Sequence, residues 1–256
     1  MSDSSPRFSS RFAFLISAMG IAIGTGNIWR FPRIVASNAG DDGAGAFLVA
    51  WITFLFLWSI PLIIVEYIMG RQSRMGTIGS FANFMGKPFA FLGGFVGVVS
   101  TAIAFFYSVI VGWNIYYFGT IMFTDLPQNN DASWALWSTF QNSSFPILFH
   151  AVAMTVGGLA IYKGVSSIEK VNKVLIPTLL GIVLLSLIRA ISLPGSLDGI
   201  KYLFTPDWAQ LSRPGIWVDA LAQNAFDTGA GFGLFLTYAI YTVSYTHLTL
   251  PTNREV

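Results

Sequence analysis

The chain has 256 residues, of which 54% are hydrophobic types and only 10% are charged, and its mean hydropathy is +0.64. A water-soluble domain has about 25% charged residues, so this composition excludes one. The small net charge of +2 argues against nucleic-acid binding, and the absence of cysteine excludes disulfides and thiolate metal sites. The composition therefore predicts a protein embedded in the lipid bilayer.

Six apolar segments are long enough to cross a bilayer, since about 20 residues are needed. We predict transmembrane helices at about 11–37, 45–70, 89–123, 145–162, 168–191 and 215–243. A short polar segment, 1–10, precedes them, and a short surface helix is expected at 198–204. Lysine and arginine lie before the first segment and in the second–third and fourth–fifth connections, and the loop 124–144 contains neither. The positive-inside rule therefore predicts a cytoplasmic N-terminus.

The first apolar segment is interrupted in its middle. Gly20, Gly24 and Gly26 lie around the polar Thr25 and Asn27, and each glycine weakens a helix by about 1 kcal/mol relative to alanine. Unpaired backbone groups cannot face lipid, so such a break lines a cavity inside the protein. The carbonyls exposed there suit Na⁺, and amides at the start of the second half-helix suit a carboxylate.

The sixth segment has the same character. Gly229, Gly231 and Gly233 follow Asp227, which lies at mid-membrane. An acid at that depth costs about 3 kcal/mol on insertion scales, so Asp227 is expected to face a cavity or a partner. The alternative is a carboxylate that is merely hydrogen-bonded to neighbouring amides. Two broken segments in corresponding positions of two halves are typical of an inverted-repeat transporter.

Other classes of membrane protein agree less well with the sequence. His150 and His247 are the only histidines, no set of side chains has metal-ligand spacing, and no serine or threonine has a paired base, so an enzyme is not expected. Glu66 is expected to be a structural partner for polar backbone. A channel would be polar along its length, whereas the polar residues here concentrate at the two breaks.

The residues around both breaks resemble the neurotransmitter:sodium symporter family. The first-helix signature is the most specific part, and the similarity extends over about residues 7–243; the matching motifs are Gly24-x-Gly26-Asn27-x-Trp29-Arg30-Phe31-Pro32, Gly43-x-Gly45-Ala46-Phe47, Pro61-Leu62, Glu66-x-x-Met69-Gly70-Arg71 and Gly231-Phe232-Gly233. The resemblance implies an all-α membrane protein with the leucine-transporter-type inverted-repeat fold, of which the first five-helix repeat and the sixth helix are present. It implies a sodium-coupled symporter of the bacterial amino-acid carrier type, in the inner membrane, which imports an amino acid or related zwitterion by alternating access. A non-transporting amino-acid receptor of the same fold is the alternative.

The resemblance also assigns roles to individual residues. Sodium is implied to bind the carbonyls of Gly20 and Ile23 at one site, and the carbonyl of Ala22, which also borders the substrate, with the side chain of Asn27 at another. The substrate carboxylate is implied to bind the amides of Thr25 and Gly26 and the hydroxyl of Tyr107. The substrate side chain is implied to contact Ile103, Phe226, Gly229 and Phe232. Phe226 is the implied lid, and Arg30 is half of the outer gate.

The chain departs from the family pattern at several informative positions. Gly24 stands where monoamine carriers have an acid, which favours an amino acid as substrate. Asp227 replaces a sodium-ligating Thr or Ser beside the chloride site, where Trp51 replaces the usual tyrosine and Gln223 is kept. We hypothesise that Asp227 supplies the negative charge that chloride supplies elsewhere; the alternative is that it takes up and releases protons. Gly229 leaves room for a bulky or aromatic substrate side chain.

Both ends of the chain also depart from the pattern. Phe8 replaces the usual tryptophan, and Ser5 replaces the inner gate arginine, for which Arg7 is a candidate substitute. Residues 244–256 are polar and are expected to be a foreign or frame-shifted tail. We therefore expect a longer native protein, and a chain that does not transport alone. The sequence predicts no particular oligomeric state.

Overall fold

The computed structural model describes residues 7–23 and 26–242, in which helices dominate and strands do not occur. The α-helices are α1 Arg11–Ala22, α2 Phe31–Ser37, α3 Gly45–Phe54, α4 Ile60–Ser73, α5 Thr77–Met85, α6 Ala90–Phe123, α7 Asn130–Gln141, α8 Phe145–Ile161, α9 Val165–Ile191, α10 Ser196–Phe204, α11 Pro214–Thr228 and α12 Leu234–Ile240. Helix α10 lies where the sequence predicts a short helix. The expected foreign tail, 244–256, lies outside the described residues.

Three helices are long and apolar enough to cross a membrane by themselves. They are Gly45–Ser73, Lys87–Phe123 and Val165–Ile191, and the count for the described residues rises to five if each of two bent pairs is one span. The bent pairs are Arg11–Ala22 with Gly26–Ser37, at 45°, and Asn130–Gln141 with Phe145–Ile161, at 73°. The sixth predicted segment is split into α11 and α12 by five residues, so its crossing of the membrane stays a prediction.

Two π-helical turns occur inside the predicted segments. Gly26–Arg30 precedes α2, and Leu55–Ser59 joins α3 to α4. A π turn places one extra residue in the helix and redirects the side chains that follow it, and such turns are frequent at functional sites. Here the second turn directs the buried Ser59 hydroxyl to Asn224 of α11, 3.0 Å away.

Glycine and alanine allow the helices that carry the two breaks to pack closely. Helix α12 lies against α4 at Gly70, where a Cβ atom would be 2.1 Å from the Leu236 carbonyl oxygen. Helix α3 packs on α11 through a buried cluster that includes Ala46, Phe47 and Ala220. The close approach of small residues is the usual way in which membrane helices associate. It fixes both halves of the sixth segment against the second.

Helix α7 lies within residues 124–144, for which the sequence predicts a loop, so that prediction is wrong. The Asn129 side chain caps α7 by accepting a hydrogen bond from the Ala132 amide at 2.8 Å. Phe140 is fully buried and stacks on Tyr116 of α6, with ring centroids 4.2 Å apart. The cap and the aromatic anchor explain why a polar stretch forms a helix here.

Candidate substrate and sodium site

The break in the sixth segment is an unwound stretch between α11 and α12. Gly229, Gly231 and Gly233 have φ angles of 67°, 88° and 69°. Only glycine adopts such left-handed angles without a steric penalty, so the glycine spacing dictates where the helix stops. The interruption that the sequence predicts in this segment is therefore present.

Glu66 of α4 satisfies the backbone of this break. Its Oε1 atom accepts hydrogen bonds from the amides of Gly231 at 2.7 Å and Gly233 at 3.1 Å, and its Oε2 atom accepts one from Leu236 at 3.3 Å. Amides at the start of a half-helix have no partner within the helix, so one carboxylate supplies the acceptors that water would otherwise supply. The prediction that Glu66 is a structural partner of polar backbone is confirmed.

The break in the first segment lies directly beside α11. Helix α1 ends at Ala22 and the π turn begins at Gly26, while Gly24 and the predicted substrate ligand Thr25 lie outside the described residues. A Cβ atom on Gly26 would lie 3.5 Å from the Phe226 carbonyl oxygen and 3.6 Å from Asp227 Oδ1. The two broken segments therefore meet at Gly26 and Asp227.

Asp227 is 4% exposed and is held by side chains. Its Oδ1 atom accepts a hydrogen bond from Gln223 Nε2 at 2.5 Å, and its Oδ2 atom accepts one from Trp51 Nε1 at 3.2 Å. Gln223 Nε2 also lies 3.4 Å from the Gly26 carbonyl oxygen. The two donors are thus the side-chain amide of Gln223 and the indole N–H of Trp51, and an ion-binding role for Asp227 stays a prediction.

Arg30 connects this carboxylate to the predicted gate. Its guanidinium donates a hydrogen bond to Gln223 Oε1 and lies over the Phe226 ring, 4.4 Å from the ring centroid. A cation over an aromatic face is attracted by the ring quadrupole. The predicted gate residues Arg30 and Phe226 are therefore in contact, and Gln223 links Arg30 to Asp227.

A cavity of about 70 Å³ lies next to these residues. It is lined by Gly26, Trp29, Arg30, Phe106, Tyr107, Ile110 and Phe226. Four of these residues are predicted site residues: Gly26, Arg30, Tyr107 and Phe226. The lining is mostly apolar with a few polar groups, as is usual for small-molecule sites.

Several other predicted site residues are not among those that line this cavity. Gly20 faces α9, where a Cβ atom would be 3.4 Å from Ile176 Cδ1. Gly229 does not leave open space, because a Cβ atom there would be 2.7 Å from Ile21 Cγ2. The remaining ones occupy three places: Ala22 and Ile23 at the end of α1, Asn27 in the π turn, and Ile103 on α6 with Phe232 in the second break.

A buried polar cluster that the sequence does not predict lies next to Asp227. Asn224 Nδ2 donates to the Trp51 carbonyl oxygen at 2.8 Å, and the Thr228 hydroxyl lies 3.2 Å from the Ser59 hydroxyl. Ser59, a polar residue within an apolar run, was the available signal, but its orientation depends on the π turn. This cluster fixes α11 against the second segment one turn from the site.

Two broken segments that meet within apolar helices are typical of membrane transporters of the inverted-repeat class. The model of the sodium:neurotransmitter symporter family matches residues 5–144 and 143–250. The chain therefore belongs to the sodium:neurotransmitter symporter family, whose members are multi-pass membrane transporters and not enzymes. The family and the fold predicted from the sequence are both confirmed.

Three similar proteins illustrate this membership. An uncharacterized sodium-dependent transporter of Methanocaldococcus jannaschii is 32% identical over 254 residues, which are 95% of this chain and 50% of that protein. The sodium-dependent neutral amino acid transporter B(0)AT2 of Bos taurus is 28% identical over 93% of this chain and 36% of that protein. The crystal structure of MhsT in complex with L-phenylalanine has a TM-score of 0.80 at 33% identity, covering 93% of this chain and 54% of MhsT. The chain thus spans about half the length, or less, of these relatives.

Proposed function

We propose that this region belongs to a symporter that uses the sodium gradient to import an amino acid by alternating access. The observation that supports this proposal best is the meeting of the two breaks, where the Asp227 carboxylate lies against Gly26. Glycine at position 24 leaves this site without the acid of the monoamine carriers, so the substrate supplies its own carboxylate. A bound phenylalanine in MhsT and the name of B(0)AT2 agree with an amino-acid substrate.

The proposed roles follow the two breaks. Sodium binds the carbonyls of Gly20, Ala22 and Ile23 and the side chain of Asn27. The substrate carboxylate binds the amides of Thr25 and Gly26 and the Tyr107 hydroxyl. The substrate side chain lies against Ile103, Phe226 and Phe232. Arg30 and Phe226, which are already in contact, close the site from the outside, and the N-terminus lies in the cytoplasm.

Gly229 has a different proposed role from the one that its small size suggests. Ile21 of α1 occupies the space that a side chain at position 229 would need. The absence of a side chain there therefore lets the two broken segments approach each other. Substrate size is then set by Phe106, Ile110 and the other residues that line the cavity.

The proposed activity is tested with a chimera in which residues 7–242 replace the matching region of MhsT. Uptake of a panel of labelled amino acids is measured with sodium or choline in the medium, beside unmodified MhsT. We expect sodium-dependent uptake of at least one amino acid by the chimera and none by the 256-residue chain alone. Sodium-dependent binding without uptake in the chimera would favour the receptor alternative, and uptake that is equal in choline would contradict the symporter.

We further propose that Asp227 replaces chloride as the negative charge beside sodium. The support is its burial, its position against Gly26, and its contact with Gln223, a residue kept from the family's chloride site. A fixed carboxylate next to a cation binding site supplies the charge that a bound anion otherwise must supply.

This second proposal predicts a change in ion dependence. In the chimera, uptake should be unaffected when gluconate replaces chloride, and Asp227→Thr should make it depend on chloride, with a loss of about tenfold in gluconate. Trp51→Tyr on the Asp227→Thr background should strengthen the chloride response, since it restores the tyrosine of the family. An Asp227→Thr variant that transports equally well in gluconate would contradict the charge replacement.

A further inference from the structure

Helix α2 is hydrogen-bonded to α11 at the end that lies away from the two breaks. Asn38, the residue that ends α2, is 3% exposed, and its Nδ2 atom donates hydrogen bonds to Asp219 Oδ2 at 2.8 Å and to the Ile34 carbonyl oxygen at 3.1 Å. One side-chain amide thus caps the last turn of α2 and contacts α11 at the same time. We call Asn38 and Asp219 the distal polar pair.

The distal polar pair lies on the same helix faces as the contact between Arg30 and Gln223. Arg30, Ile34 and Asn38 follow one another at intervals of four residues, and residues with this spacing share one face of a helix. On α11, Gln223 and Asp219 have the same spacing, and they accept hydrogen bonds from Arg30 and Asn38, respectively. A rotation of α2 that separates Asn38 from Asp219 therefore also turns Arg30 away from Gln223.

The other contacts of this region do not define the rotation of α2. Val35 packs in the apolar cluster between α3 and α11, and apolar contacts are non-directional. The turn after α2 is held separately, because the Ala44 amide donates to the Tyr202 carbonyl oxygen at 2.9 Å and the Tyr202 hydroxyl donates to the Gly40 carbonyl oxygen at 3.1 Å. A hydrogen bond is directional, so the distal polar pair fixes how α2 is turned against α11.

We propose that Asn38 and Asp219 are positioning residues of the substrate site, which set the rotation of α2 and thereby hold Arg30 against Gln223 and Phe226. This inference rests on the proposed transport function. Neither member of the pair lines the cavity. Asn38 is eight residues from Arg30, which is about 12 Å along a helix. The pair therefore acts through the orientation of α2 and not through contact with the substrate.

The first test is a labelling experiment on the full chain, which has no cysteine of its own. Val35→Cys places a reporter on the buried face of α2, where the native side chain is 5% exposed. A water-soluble maleimide is added to open membrane fragments, so that both sides are accessible. We expect slow labelling, which Asn38→Ala and Asp219→Ala each accelerate about tenfold because the hydrogen bond of the pair is lost.

Matched variants separate the hydrogen bond from a general loosening of the fold. Asp219→Asn keeps an oxygen acceptor and should keep labelling slow. Asn38→Asp places two carboxylates side by side and should accelerate labelling, whereas Asn38→Asp with Asp219→Asn exchanges donor and acceptor and should slow it again. A second reporter, Ala153→Cys on α8, is 6% exposed in the native protein and should be unaffected by all of these variants. Equal acceleration at Ala153→Cys overturns the proposal.

The second test is the dependence of uptake on substrate concentration in the chimera. Asp219→Ala should raise KM about fivefold and leave the maximal rate within twofold, because a turned Arg30 closes less well over the substrate. A purely structural loss would instead lower the maximal rate through the amount of folded protein and leave KM unchanged. Asp198→Asn, which removes one partner of the exposed Lys201–Asp198 pair, is the control and should change neither value.

The two tests also separate this inference from the proposed function. Parental labelling of Val35→Cys in Asp219→Ala, or an unchanged KM in a chimera that transports, overturns the positioning role. A chimera without sodium-dependent uptake contradicts the proposed function, and the labelling rates then still decide whether the distal polar pair holds α2 against α11.

Discussion

Glu66 and Asp227 are both buried acidic residues in the predicted membrane segments, but their hydrogen-bond partners differ. Glu66 accepts from three backbone amides of the second break, whereas Asp227 accepts from the side chains of Gln223 and Trp51. Backbone amides are fixed by the fold and need their acceptor permanently. Side-chain donors can rotate away, which leaves the carboxylate of Asp227 available to a cation. The contrast agrees with a structural role for Glu66 at the break and with the proposed role of Asp227 in ion binding.

The largest expected effect follows from removal of the structural carboxylate. Glu66→Ala leaves the amides of Gly231, Gly233 and Leu236 without an acceptor, and the expected loss of stability is roughly 3 kcal/mol. The measurement is the temperature at which half of the detergent-solubilised protein remains monodisperse. Glu66→Gln is the matched control and should lose less, because its amide oxygen still accepts. A Glu66→Ala protein as stable as the parent would show that Glu66 is dispensable for the break.

A smaller effect is expected at Gly229, where the same break meets α1. Gly229→Ala combines a φ of 67° with a Cβ atom 2.7 Å from Ile21 Cγ2, and we expect a loss of about 2 kcal/mol in the same assay. Ile21→Ala removes the steric overlap but not the backbone strain. The double variant should therefore lose less than the sum of the two single variants. Additive losses would mean that Ile21 does not limit the space at Gly229.

The positions of both breaks and the separate roles of the two carboxylates could be predicted from the sequence, because glycine spacing and an acid in an apolar run have direct physical consequences. The partners of Asp227 could not. The hydrogen bond from Trp51 to Asp227 depends on how α3 packs on α11. The hydrogen bond from Ser59 to Asn224, in the neighbouring polar cluster, depends on a π turn that no local pattern indicates. Helix α7 was not predicted because its anchor, Phe140, packs on Tyr116 of the preceding helix α6, a contact that the local pattern does not reveal.

The hydrogen bonds between Ser9 and Glu169 could not be predicted from the sequence for a related reason. The resemblance drew attention to positions 5 and 8, where the chain departs from the family, and to Arg7 as a substitute. Glu169 is 160 residues from Ser9 along the chain, and the hydrogen bond between them depends on the packing of α1 on α9. Long-range polar pairs of this kind carry no periodicity that a sequence pattern reveals.

The smallest expected effects concern the side chains around Asp227, and they test whether its contacts are exchangeable. Asp227→Asn should lower the free energy of unfolding by about 1 kcal/mol, because one of the two N–H donors then faces an amide NH₂ group. Trp51→Phe removes the indole N–H and can keep the edge-to-face contact with Phe31, whose ring centroid lies 5.3 Å away, so we expect about 0.5–1 kcal/mol.

The double variant Asp227→Asn/Trp51→Phe tests whether Asp227 has a different role from Glu66. If the indole N–H acts on stability only through the carboxylate, Trp51→Phe should have almost no effect in the Asp227→Asn protein. The parent, the two single variants and the double variant are also assayed in sodium and in choline. Sodium should stabilise the proteins that keep Asp227 more than those that have asparagine at position 227. A double variant that loses the full sum, with an unchanged response to sodium, would place Asp227 with Glu66 among the residues that only maintain the fold. Non-additive losses together with a weaker response to sodium in the asparagine variants would instead support a cation beside the Asp227 carboxylate, which takes the place of the side-chain donors when it binds.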